Sequence, residues 1–291
     1  MTSLLDRVAG APISWGVCEV PGWGHQLDAG RVLSEMREVG LRATEFGPDG
    51  FLPDDPAAKA ATLAEHGLAA VGGFVPVVLH EVGHDPLPAV DRALDGFLAA
   101  GAGVLVLAAA SGTDGYDARP ELDAADWERL LGNLDRLADH AAGRGVRACL
   151  HPHVGTMVET GDDVSRVLDG SLVPLCLDTG HLLIGGSDPA ALAAQATDRI
   201  VHAHLKDVDR AWAERVQSGR TTYTEAVAAG MYRPLGKGDV DIAAIVTTLE
   251  RSGYDGWYVM EQDTVLGSEA DGDRAAGDVR ASVDHLRGLA L

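Results

Sequence analysis

Basic residues are scarce in this chain: 23 Lys+Arg stand against 44 Asp+Glu in 291 residues, a formal net charge of −21. Nucleic acids and anionic membranes both require a basic footprint, so neither is expected as a partner. The excess of carboxylates describes a soluble, self-repelling surface, and it is compatible with a cation site and a neutral, sugar-like small molecule. Cysteine is scarce as well. Cys18, Cys149 and Cys176 have no C-x-x-C spacing, and two of them lie in apolar runs where a thiol behaves as a small hydrophobe, which argues against a disulfide framework. No stretch approaches the apolar length of a membrane span, and the opening MTSLLDRVAGAP has no apolar h-region, so a cytoplasmic location is expected. No G-x-G-x-x-G follows an early strand, which counts against a doubly wound nucleotide-binding sheet. Linkers and low-complexity segments are missing too, and 1–291 reads as one domain.

What is present is a recurring pattern of apolar, β-prone runs that close on a polar side chain. Residues 173–178 end at Asp178, and the turn beyond presents His181. The run 146–153 ends in His151 and His153, 200–207 ends in His204, Lys206 and Asp207, and 257–263 contains Glu261. In parallel α/β proteins the carboxyl ends of strands form one rim, where ligands bind.

Strand and helix patterns alternate eight times. Further strands are expected at 11–17, 42–46, 68–79 and 104–108. Helices are expected from Asp28, from Asp55-Pro56, over 87–100, around Trp127, over 162–168, from Pro189, over 242–249 and over 275–286. The spacing predicts an α/β fold, a single (βα)8 TIM barrel, a class that reaches about 250 residues as one domain. A long loop insertion, 208–239, follows strand seven; it holds a short helix around 225–229 and a Gly-rich YRPLGKGD, and its length suggests a lid.

Asp178, His204 and Glu261 close strands six, seven and eight, so a barrel brings them together. This mixed oxygen and nitrogen set suits Mn²⁺, Co²⁺, Fe²⁺ or Zn²⁺ better than Ca²⁺. Taken singly, a strand-end Asp is more often a helix N-cap and a lone His a core residue. His151 and His153 stand two apart and face one side of a strict strand, one as ligand and the other as substrate contact or acid/base, unless both only hydrogen-bond nearby loops. Lys206, costly to bury unpaired, pairs with Asp207 or Glu261 or points at a substrate oxygen. Glu45 binds a polyol hydroxyl or caps the second helix; Trp15 and Trp23 wall a sugar-sized pocket or pack. Arg233 touches substrate or is a solvated loop charge.

The segments APISWG, TEFGPDG, LHPHVGTMVET, LDTGHLLIGGSDP, HAHLKD, GKGDVD and the final ME together resemble the xylose-isomerase-like barrel superfamily, and within it the inosose dehydratase group of inositol catabolism. The resemblance spans nearly the whole chain. It implies a divalent metal, Mn²⁺ or Co²⁺ favoured over Zn²⁺, Fe²⁺ or Mg²⁺, held by a Glu, an Asp, a His and a Glu on strands five to eight. The last three match Asp178, His204 and Glu261. The strand-five glutamate is replaced by His151, with Glu159 a nearby carboxylate in the following loop. Epimerases of the superfamily use the two glutamates as opposed bases, whereas an elimination needs one base and one acid. The resemblance with this departure therefore implies dehydration of 2-keto-myo-inositol or a similar cyclic polyol ketone through an enediolate, with Glu261 or a His as base and Lys206, His153 or His181 as acid. An isomerase or epimerase on the same metal is the alternative, and a barrel that binds without catalysis is a third reading. A homo-oligomer is left open.

Overall fold

The computed structural model describes residues 4–289; Met1 to Ser3 of the opening stretch and the last two residues lie outside the described residues. In chain order its strands are β1 (Val8–Gly10), β2 (Ala43–Thr44), β3 (Ala69–Ala70), β4 (Gly72–Val77), β5 (Val104–Ala109), β6 (Arg147–Leu150), β7 (Leu175–Asp178), β8 (Ile200–Leu205), β9 (Asp207–Val208), β10 (Tyr232–Arg233) and β11 (Tyr258–Met260). Nine of them form one parallel sheet in the order β3-β2-β1-β11-β8-β7-β6-β5-β4. The two ends of that order, β3 and β4, are separated in the chain by Val71 alone. Val71 N–H donates to Thr44 O on one side and Val71 O accepts from Gly103 N–H on the other, 3.0 Å each, so the sheet closes on itself as eight staves. This is the expected TIM barrel, with β6, β7, β8 and β11 as staves five to eight.

Alternation along each stave separates two layers. Leu105, Leu107, Leu150, Leu175, Leu177, Ala203 and Leu205 join the large cluster beneath the helices, whereas Val104, Val106, Cys149 and Cys176 form a smaller one. Ala9, Ala43, Val71 and Val259 make a third. Small side chains thus plug the interior below the rim, and the three cysteines are free thiols. No helix among the described residues is long and apolar enough to cross a membrane.

The caps behave as their chemistry dictates. Asp28 and Asp55 accept backbone N–H bonds at the starts of Ala29–Glu38 and Pro56–Glu65, so the second helix is capped by Asp55 and not by Glu45. The remaining expected helices are Leu87–Ala100, Ala124–Gly143, Gly161–Gly170, Pro189–Gln195, Ile242–Arg251 and Gly272–Arg287.

Four expectations are corrected. Strand one is Val8–Gly10, and the segment 11–17 instead turns through a short 3-10 helix, Pro12–Trp15, because Pro12 has no N–H for the ladder. Strand three is broken at Val71. Its second half carries Pro76 opposite Ala108 of β5, and among the described residues no strand pairs with its other edge, where a proline is tolerated. The turn after Asp178 is a helical one, Thr179–Ile184.

The fourth correction is that the insertion is not an irregular loop. It contains the helices Arg210–Gln217 and Tyr223–Ala228, and its β10 pairs antiparallel with β9. Its far end is pinned by Asp207, whose carboxylate accepts from the backbone N–H groups of Gly236 at 2.8 Å, Gly238 at 2.9 Å and Val240 at 3.0 Å. A side chain at Gly238 would run into that carboxylate, which accounts for the glycine in GKGD.

Candidate active site and metal centre

β8 contributes His202 and His204, and Lys206 follows it directly on the same face; all three are buried. Asp178 at the end of β7 does two jobs at once. Its Oδ1 caps the following helix by accepting from Gly180 N at 2.9 Å and His181 N at 2.7 Å, while Oδ2 faces His151 Nε2 at 3.1 Å and His204 Nδ1 at 3.7 Å. Glu261 follows β11 directly and brings Oε2 to 2.6 Å from His204 Nδ1. The ligand atoms of Asp178, His204 and Glu261 lie within 4.8 Å of one another.

This trio fits a divalent cation. His204 Nδ1 and Glu261 Oε2 are both buried, and although close they form no well-aligned hydrogen bond. Buried polar atoms without a partner are costly, and here two of them converge on one point. The charge balance agrees: the one ammonium of Lys206 lies nearest Asp263 and is shared with Glu261 at 3.6 Å and Asp178 at 3.8 Å, so three carboxylates converge on a single fixed cation and Glu45 is a fourth nearby. Burial raises Glu261, but His204 and Lys206 outweigh it and hold its carboxyl well below the usual range. Burial likewise opposes a charged His204, yet Glu261 and Glu45 lift it well above an ordinary histidine. Protonation of His204 and binding of a cation are two answers to the same carboxylate field.

Behind His204 stands Glu45. Its Oε1 accepts from His204 Nε2 at 3.0 Å and from His202 Nε2 at 2.8 Å. Burial works against the carboxylate, but His204 and His202 overcome it and bring its pKa to about 2.

Glu261 of this trio lines a cavity of about 960 Å³, whose wall also includes Glu45, His151, His153, Lys206, Asp263, Trp23, Tyr116 and Phe74. His153 Nδ1 donates to Val154 O at 2.7 Å, so its Nε2 carries the free lone pair. Burial, then the charges of His151 and Lys206, keep this imidazole neutral, well below the usual range. Lys206 is gripped by Thr179, whose hydroxyl accepts from Lys206 N at 2.8 Å and donates to Lys206 O at 2.6 Å. Its stem lies against Gly180, where an added Cβ would sit 2.7 Å from Lys206 Cβ, so the glycine of DTGH makes room for it. Burial disfavours the ammonium, but Asp263 and Glu261 reverse that and keep it charged well above the usual lysine range. The partner is Asp263, not Asp207.

Four other expected residues do not line the cavity. Trp15 is fully buried, donates to Glu35 Oε2 at 2.8 Å and does not line the cavity, whereas Trp23 does. Arg233 pairs with Asp209 at 3.2 Å within the insertion and also lies off the cavity wall. His181 sits behind the wall, its Nε2 3.3 Å from Lys206 Nζ. Glu159 accepts from Gly155 N at 2.9 Å and pairs with Arg119 at 3.4 Å, so it is not one of the converging ligands.

The insertion supplies two side chains that were not anticipated. Tyr223 donates to Asp263 Oδ2 at 2.5 Å and lies 3.0 Å from the hydroxyl of Tyr232, whose ring faces Lys206. The insertion contributes no side chain to the cavity wall, so the lid expected of it is not seen; it helps hold the Asp263–Lys206 pair from behind. Tyr223→Phe is expected to lower kcat about ten- to a hundredfold with little change in melting temperature, the kinetic worth of one hydrogen bond to a charged group. Unchanged steady-state kinetics would remove this tyrosine from the account.

The parallel eight-stave barrel, with two carboxylates and an imidazole converging at its carboxyl rim, is that of the xylose isomerase-like TIM barrel family, and the chain belongs to it: residues 33–289 match the family. Among curated relatives, inosose dehydratase of Geobacillus kaustophilus (strain HTA426) is 32% identical over 270 residues, covering 88% of this chain and 87% of that one. Rhizopine catabolism protein MocC of Rhizobium meliloti is 34% identical over 270 residues, covering 88% and 81%. A solved structure of the IolI protein with a bound zinc atom matches the fold with a TM-score of 0.73 at 14% identity, covering 98% of this chain and 99% of that one.

Proposed function

We propose that the protein is a divalent-metal-dependent dehydratase, a carbon–oxygen lyase, acting on 2-keto-myo-inositol or a similar cyclic polyol ketone. The observation that carries this reading is the asymmetry of the site: one neutral histidine with a bare Nε2, one ammonium, and a histidine at position 151 in place of a second opposed glutamate. The relatives named inosose dehydratase support the substrate class. The donor set favours Mn²⁺ or Co²⁺, and the zinc of the IolI structure makes Zn²⁺ a further candidate.

A divalent cation held by Asp178, His204 and Glu261 supplies Lewis-acid polarisation of the ketone oxygen. His153 Nε2 takes the proton from the carbon next to the ketone, and the C–H electron pair moves toward the carbonyl to give the enediolate. That pair then returns to form the carbon–carbon double bond as the hydroxyl one carbon further departs. Lys206 Nζ supplies its proton, so the group leaves as water. Before the reaction the one proton of His153 is on Nδ1 and engaged by Val154, which suits it as the base; Lys206 lines the cavity with a proton to give, and His181 does not line it. Protein stripped with a chelator should lose water-eliminating activity on a panel of inososes and ketoses and recover it with Mn²⁺ or Co²⁺. Full activity in the stripped protein would sink the reading.

A further inference from the structure

His202 makes no contact with the cavity, yet it is fully buried, ionisable and tied to the same carboxylate oxygen as the metal-ligating histidine. It lies two residues before His204 on β8, so both rings project into the barrel from one face of the strand. Glu45 reaches them from β2, 157 and 159 residues away in the chain. The two Nε2–H groups converge on Glu45 Oε1 at 2.8 and 3.0 Å, with the imidazole rings 5.2 Å apart and crossed at 72°. His202 Nδ1, the other ring nitrogen, has no hydrogen-bond partner. Among the described residues the one polar contact of the His202 ring is thus the one to Glu45.

For His204 to offer Nδ1 to a cation, its proton must stay on Nε2, and only an acceptor fixed at that end enforces this. Glu45 is that acceptor, but a carboxylate on one rotatable stem can swing. The shorter of its two bonds comes from His202. We infer that His202 is a positioning residue for the metal centre: by anchoring Glu45 Oε1 it fixes the tautomer and ring plane of His204, and through them the affinity for the cation. The inference rests on the metal reading given above, though not on the identity of the substrate.

A merely structural histidine in the barrel interior would give a different set of results. His202→Phe keeps roughly the volume and removes the donor; His202→Gln keeps an N–H donor of similar reach. With Zn²⁺ or Mn²⁺ titrated against a competing chelator, His202→Phe is expected to bind about ten- to a hundredfold more weakly than wild type, the usual effect of losing such a partner, and His202→Gln to recover most of the loss. His202→Phe added to Glu45→Ala should cost nothing more, since the histidine acts through the glutamate. In the zinc-loaded wild-type protein, ring-nitrogen NMR should find the proton of both His202 and His204 on Nε2, a readout that does not depend on any variant folding. Wild-type affinity in His202→Phe, equal losses in the Phe and Gln variants, additive losses in the double variant, or an Nδ1–H tautomer on His202 would each overturn the inference while leaving the metal site standing. Failure of the wild-type protein to bind either metal would instead overturn the metal reading itself.

Discussion

Asp178→Asn, His204→Ala and Glu261→Gln are each expected to leave a folded barrel that no longer retains a divalent metal and turns over on the order of a thousandfold more slowly, because a Lewis acid contributes several kcal/mol to such a step. The expectation differs in detail among the three. In Asp178→Asn the amide oxygen can still accept the N–H bonds of Gly180 and His181, so the helix Thr179–Ile184 keeps its cap while the oxygen facing His151 and His204 loses its charge. His204→Ala removes both the ligand and the partner of Glu45. Glu261→Gln keeps the volume and removes the charge nearest His204 Nδ1. All three lie at the rim, and the apolar clusters that hold the barrel together are untouched. Metal content by elemental analysis, circular dichroism and turnover decide it; wild-type metal content in all three would remove the site.

His151→Glu has the second largest expected effect, and it acts on the course of the reaction. His151 is buried and its Nε2 lies 3.1 Å from Asp178 Oδ2. A glutamate there would set two carboxylates at hydrogen-bond distance, which favours a cation between them and destabilises the metal-free protein. It would also place a second base in the site. Metal binding should persist or tighten, dehydration should fall about a hundredfold, the scale of one acid/base contribution, and slow exchange of the proton next to the ketone should appear. Incubation of both proteins with the keto-inositol in deuterated water, followed by mass analysis, reads all of this. Undiminished dehydration by the variant would show that position 151 does not set the reaction.

Much of the rim was legible in the sequence, because the physics that places it is local. A strand side chain repeats its face every two residues, so HAHLKD declares His202, His204 and Lys206 to be on one side, and MEQD does the same for Glu261 and Asp263. Asp263 carries that signal too, although it stands two residues beyond the polar side chain that closes the apolar run. Trp15 went astray for a related reason: APISWG alternates like a strand, but the proline at its second position turns it into a 3-10 helix and the indole inward to Glu35. In the insertion only the helix near 225–229 stands out by pattern, yet the first helix also has a signal, with Asp209 as its cap and Trp212 and Val216 four apart on it. What no local pattern holds is the bond from Glu45 to His204, which spans the interior between staves separated by β1 and β11, or the reach of Tyr223 from the insertion to Asp263. Those contacts exist only once the sheet has closed.

The central claim is that this site eliminates water. The most direct measurement is the mass of the product formed when the metal-loaded wild-type protein is incubated with 2-keto-myo-inositol. The account predicts a product lighter than the substrate by one water. A product of unchanged mass, rearranged or inverted at the carbon beside the ketone, would contradict it and make the same residues those of an isomerase or epimerase.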